Sequence, residues 1–236
     1  MNITLSETLR TTLNQDIAQL MPESPEGASA VLAHRRLQAV ANSSPLLLTW
    51  LAEPWWSENI EATVILCARI HLYARILDDA LDENLPIHRL LLLRAQTLFW
   101  SSVSELAILH PQHGQHSMQL IQETISAVEQ DDSQMSPSLW GLKNHHLLLI
   151  PLLLSNNSET WQQSKTALSK VIWLMQTGEE WRQNALKTKA SKYQVLAEVE
   201  RIMTDEIPLL LSQGGWKLAA KRAVWECQRL LSVLCN

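Results

Sequence analysis

The chain has 236 residues, enough for one large domain or two small ones with a substantial core. Its net charge of −5, with 18% charged residues and no basic stripe, argues against nucleic-acid binding. Leu is abundant, Gly is scarce and long segments pass without a breaker, so an all-α fold is expected, as a single domain over residues 1–236. Cys67, Cys227 and Cys235 show neither metal spacing nor a disulfide framework. The N-terminus lacks the basic-then-apolar order of a signal peptide, and polar or charged groups interrupt the apolar runs. Reduced thiols, a cytoplasmic location and no membrane span are therefore expected.

Leu5, Leu9, Leu13 and Ile17 repeat every four residues and predict an amphipathic first helix. Pro22 to Gly27 reads as a loop. A second helix is expected from Ala28 to Ala41, with His34, Arg35 and Arg36 on its wet side. Ser43-Ser44-Pro45 restarts the chain into a short apolar helix through Leu51. Glu53-Pro54-Trp55-Trp56 is a turn with two large aromatics, and Ser57 is a candidate N-cap for the next helix.

From Glu61 to Leu81 no Gly or Pro intervenes, and Val64 to Leu81 is apolar on nearly every side, which predicts a buried helix. Its end carries acids: Asp78, Asp79 and Asp82, followed by Glu83. On a helix Asp78 and Asp82 lie one turn apart on one face, with Asp79 beside them. Like charges so placed repel, and a buried helix ending in them calls for a cation, either an Arg or a metal. Oxygen-only ligands favour a hard cation such as magnesium, often held by one or two carboxylates plus substrate phosphates. The competing account is a solvated helix end leading into Asn84-Leu85-Pro86, although acids there oppose the helix dipole. Arg75, at i−3 and i−4, is equally placed to be the internal partner of Asp78 or Asp79.

A helix is expected from Ile87 to Ile108, then a loop through His110, His113, Gly114 and His116 that reads as a bland connection rather than a metal site. The next helix carries Met118, Ile121, Ile125 and Val128, and Asp131 to Pro137 is a polar connector. Trp140 to Leu154 predicts another buried helix with Lys143 near its start and a kink at Pro151. Lys143 either snorkels or contacts a phosphate. His145 and His146 face different sides. Asn156-Asn157-Ser158 caps a helix through Met175 that turns polar at Gln176, Glu179, Glu180, Arg182 and Gln183, again an apolar helix followed by paired acids. Tyr193 to Leu211 and Trp216 to Leu234 close the chain around Gly214-Gly215.

Asp78-Asp79-Ala80-Leu81-Asp82 resembles the first aspartate-rich motif of class I isoprenoid synthases: the trans-prenyl diphosphate synthases, the squalene and phytoene synthases and the class I terpene cyclases. The Lys143 segment is similar to the family helix that carries a diphosphate-binding Lys. Gln176-Thr177-Gly178-Glu179-Glu180 looks like the second metal-binding segment, with Arg182 placed as in the squalene and phytoene synthases. The three elements keep the family's order over about residues 60–185. The resemblance implies a helical bundle of the isoprenoid synthase type, with about eight to ten helices. It further implies Mg2+ held by Asp78, Asp79, Asp82, Glu179, Glu180 and Gln183. A prenyl diphosphate would be bound by Arg75, Lys143, Gln176 and Arg182, with catalytic duty on Asp78, Asp79 and Asp82. It leans to a homodimer. Glu179 and Glu180 replace the family's Asp pair, Gln183 stands where a third acid is expected, and Lys192 takes the Glu position of the cyclase triad that Asn184 and Thr188 would begin.

Three accounts remain open on the sequence. The first is a magnesium-dependent terpene synthase or prenyltransferase, in which departure of diphosphate leaves an allylic cation shielded by Leu-rich helices and by Trp140, Trp173 or Trp181. The second is a non-catalytic relative kept as a binding subunit. The third is a helical carboxylate-bridged di-metal protein, weakened by the absence of a Glu-x-x-His pair.

Overall fold

The computed structural model describes residues 3–21, 28–81, 85, 87–130, 141–155, 158–182, 192–212 and 215–235. Among these residues the fold is all-α, without strands. The chain falls into two compact units, Met1–His116 and Ser117–Asn236. No helix among the described residues is long and apolar enough to cross a membrane.

The first unit contains α1 (Ile3–Leu20), α2 (Ala28–Leu51), α3 (Glu61–Leu81) and α4 (Arg89–Leu109). α3 packs against the other three. The four-residue repeat of α1 works as the spacing predicts: Leu5, Leu9, Leu13 and Ile17 are all buried. α3 buries Val64, Leu66, Cys67, Ala68, Ile70, Leu72 and Ile76, and burial pushes the Cys67 thiol far above its ordinary range, as suits a reduced core cysteine. A two-pronged ion pair ties α1 to α3, with Arg69 Nε and Nη2 donating to Asp16 at 2.9 and 3.2 Å. His71 is buried too, its Nε2 2.9 Å from Ser44 Oγ, and burial with Arg75 nearby lowers its pKa to about 3.

α2 differs from the expectation of two helices. It runs unbroken through Pro45. Buried Leu37, Ala41, Leu48 and Leu51 lie along one stripe on both sides of the proline, so packing of the two halves outweighs the missing hydrogen bond. Thr49 Oγ1 donates to the Pro45 carbonyl at 2.6 Å, and Ser43 Oγ to the Ala39 carbonyl at 2.8 Å. Ser57 does not cap α3, which begins at Glu61 after a 3-10 turn at Glu53–Trp55. α4 is capped instead by His88, whose side chain accepts from the Leu90 N–H. The histidine-rich stretch is a 3-10 turn, Pro111–His113, running into α5 (Gly114–Glu129), rather than a loop throughout. His110 Nε2 there lies 2.9 Å from Thr63 Oγ1.

The second unit holds most of α5, α6 (Leu149–Leu154), α7 (Ser158–Arg182), α8 (Lys192–Arg201), α9 (Ile207–Ser212) and α10 (Lys217–Leu234). The expected kinked helix over 140–154 is instead a 3-10 turn, His145–Leu148, followed by α6. Pro151 is the third residue of α6, which continues directly from the 3-10 turn. Thr124 Oγ1 on α5 accepts from the His146 N–H at 2.9 Å, and Glu123 lies 3.1 Å from His145 Nδ1. α7 packs on α10, α9 and the 3-10 turn. The expected helix over 193–211 is interrupted by a single π turn, Ile202–Glu206, where the Ile207 N–H donates to the carbonyl of Ile202 five residues back. Pro208 comes next and has no N–H to offer a carbonyl four residues back, so the wider turn forms just ahead of it. The connectors over 22–27 and 131–137 and the caps Asn156 and Asn157 lie outside the described residues.

Candidate functional site

Each unit carries one group of the residues singled out by sequence. In the first unit, α3 stays enclosed until its last turns. Asp79 is still buried there, 3% exposed, although it is an ionisable acid. The Leu85 N–H donates to the Asp79 carbonyl at 3.1 Å. Arg36 Nη2 of α2 meets Asp79 Oδ1 at 2.7 Å, and Arg75 Nη1 meets Asp78 Oδ2 at 2.8 Å from one turn earlier on α3. The sequence alternative of an internal Arg75–Asp78 pair is therefore present.

Arg36 is the residue that sequence reasoning misses. The pattern of α2 puts it on the wet side, yet it is turned toward α3. Its neighbour Leu37 is fully buried and Ala33 is nearly so, which gives the one sequence signal that this face looks inward. Burial raises the proton affinity of the Asp79 carboxyl, Arg36 and Arg75 oppose that rise, and the Asp78 charge adds to it. The burial cost is the largest influence, so two guanidiniums do not fully offset the placement of this acid.

In the second unit Lys143 is nearly buried and lies in the turn before His145, not on a helix. Asn144 Nδ2 donates to Gln176 Oε1 at 3.0 Å, which brings the Lys143 turn beside the start of the second acid segment. Gly141 in the same stretch lets the chain press on α7: a Cβ there would stand 3.2 Å from that of Trp173. Trp173 itself is buried in the packing of α7. Trp140, Asp82, Gln183, Asn184 and Thr188 lie outside the described residues, as do the side chains of Glu179, Glu180, Trp181, Arg182 and Lys192.

The donor chemistry fits a hard divalent cation, since Asp78 and Asp79 offer only carboxylate oxygens. Among the described residues, no three His, Cys, Asp or Glu side chains gather closely enough to hold a metal ion by themselves. The chain matches no protein-family model, and no curated protein and no solved structure is similar enough to count as a relative.

Proposed function

We propose that this protein is a magnesium-dependent class I isoprenoid enzyme, a terpene synthase or prenyltransferase, that ionises a prenyl diphosphate and releases diphosphate. The observation that supports it best is the acid pair in the last turn of α3, with Asp79 buried. Burial makes the Asp79 carboxyl reluctant to ionise, which is a poor choice for stability alone, and such an acid at the end of an apolar helix is a candidate for chemistry. Asp78, Asp79 and Asp82 would hold the cation. When bound, magnesium neutralises the charge that develops on the diphosphate leaving group.

The chain's own residues have separate tasks. Arg75 and Arg36 orient the two aspartates and keep them close despite their repulsion. The resemblance gives Lys143, Gln176 and Arg182 the role of donors to phosphate oxygens, and Glu179, Glu180 and Gln183 that of a second metal-binding group. Buried Leu72 and Ile76 on α3 exclude water behind the acid pair, and a dry apolar surround is what a carbocation requires.

The test is diphosphate release from geranyl, farnesyl and geranylgeranyl diphosphate, with and without magnesium, in the wild type and in Asp78→Asn/Asp82→Asn. Release that needs magnesium and is lost in the variant is the expected result. No release from any of the three, alone or with isopentenyl diphosphate, refutes the enzymatic reading. A second reading, a non-catalytic binding subunit, draws on the same geometry: Asp78 and Asp79 each already have an arginine partner. Calorimetric binding of a prenyl diphosphate without turnover would select it.

A further inference from the structure

Arg222, Glu226 and Arg229 recur at i, i+4 and i+7 on α10 and so share one face. Glu226 is 0% exposed. Arg222 Nη2 donates to its Oε1 at 2.6 Å, and Arg229 Nε to its Oε2 at 2.9 Å. Arg222 also lies over the Trp225 ring, 4.3 Å from the centroid. Arg229 then leaves its own helix: its Nη2 donates to the carbonyl of Gly178 on α7 at 2.6 Å. The two helices are so close here that a side chain at 178 would collide with Arg229 Nη2, and its Cβ would stand 2.8 Å from Glu226 Oε2.

Gly178 immediately precedes Glu179 and Glu180 in the part of α7 described through Arg182. Glu179 and Glu180 are adjacent like charges, so a cation held close to the backbone that carries them is electrostatically favourable. A guanidinium held on the Gly178 carbonyl by a buried carboxylate supplies that cation and fixes the backbone that leads into both acids. We propose that the Arg222–Glu226–Arg229 triad is a positioning clamp for the acid segment of α7, and that Gly178 is the residue that admits it. The chemical role of those acids rests on the isoprenoid-synthase reading above; the clamp itself stands on the geometry of the second unit.

Two variants release the clamp from opposite sides without stranding Glu226 alone. Arg229→Lys keeps a cation beside Glu226, which also retains Arg222, but has no second nitrogen for the Gly178 carbonyl. Gly178→Ala puts a methyl group against Arg229 Nη2 and the buried Glu226 carboxylate, so Arg229 must leave the Gly178 carbonyl. Three quantities are measured in each: the thermal midpoint, amide hydrogen exchange over residues 176–182, and the magnesium concentration giving half-maximal diphosphate release at saturating prenyl diphosphate. The expected result is exchange over 176–182 about tenfold faster and a half-activating magnesium concentration raised about tenfold, the scale on which outer partners tune metal sites. The thermal midpoint should stay near that of the wild type in Arg229→Lys and fall in Gly178→Ala, whose methyl group displaces a fully buried carboxylate. Unchanged magnesium dependence in both variants of an active protein would overturn the proposal and leave the triad as helix packing. If the wild type releases no diphosphate, the functional reading fails, and hydrogen exchange decides the clamp: lost protection supports it and retained protection overturns it.

Discussion

Replacing Asp79 with Asn removes a buried charge while keeping the side chain's shape, and the expected result is a gain in stability. The Asp79 side chain is 5% exposed, whereas the Arg36 side chain that meets it is 31% exposed and keeps its water when the partner charge is lost. An ion pair open to solvent at one end contributes under about 1 kcal/mol. Burying a carboxylate costs several kcal/mol before compensation, and burial is the largest influence on this group. The balance favours Asp79→Asn by about 1 kcal/mol at pH 7, or roughly 0.4 M in the urea midpoint for a slope near 2.5 kcal/mol/M. The pH dependence has a definite sign. In the folded protein Asp79 binds its proton more tightly than at the ordinary value of 3.8, so between the two pKa values the folded state holds a proton that the unfolded state has lost. Wild-type stability therefore falls as pH rises through that window, and the advantage of the variant is absent below it and full above it. Urea unfolding followed by circular dichroism from pH 3 to pH 8 measures this. A variant less stable than the wild type at pH 7, or an advantage equal at every pH, would refute the reasoning.

His71 gives the opposite pH dependence. Its pKa is lowered from 6.5 to about 3, so its contribution is fully present above 6.5 and is lost as pH falls from there to about 3. His71→Gln, which keeps a partner for Ser44, should flatten the wild-type slope, about 1.4 kcal/mol per pH unit for one group, in urea midpoints between pH 4 and 7; an unaltered slope would count against it. Asp16→Ala should destabilise by about 2–3 kcal/mol, because it strips two hydrogen bonds from Arg69, whose side chain is only 27% exposed. A shift in the thermal midpoint too small to resolve would show that water replaces the pair.

The amino-acid sequence carries the position of α3 because nothing in it competes: 21 residues without Gly or Pro, apolar on most sides, admit one reading. It carries the Arg75–Asp78 pair for the same reason, since partners one turn apart are fixed by the helix repeat. The Arg36–Asp79 pair spans two helices, and its existence depends on how α2 packs on α3, which no local pattern encodes. Pro45 misleads in the other direction. A proline is a strong local stop signal, but a continuous buried stripe on both sides of it keeps α2 whole. The triad on α10 is visible as an i, i+4, i+7 spacing of Arg, Glu and Arg; that Arg229 continues to Gly178 depends on the approach of α7 alone.

The π turn at Ile202–Glu206 has a consequence for how this chain tolerates changes in length. Elsewhere in a helix one added or deleted residue rotates every later side chain by about 100° and carries a buried face toward water. A π turn already contains one surplus residue. Val195 and Val199 ahead of it, Ile202 at its first position, and Ile207 and Leu210 behind it are all buried, so the surplus is absorbed locally and the apolar face resumes beyond it. Deleting one residue here would return the turn to the ordinary α repeat and leave the apolar face behind it in place, just ahead of Pro208.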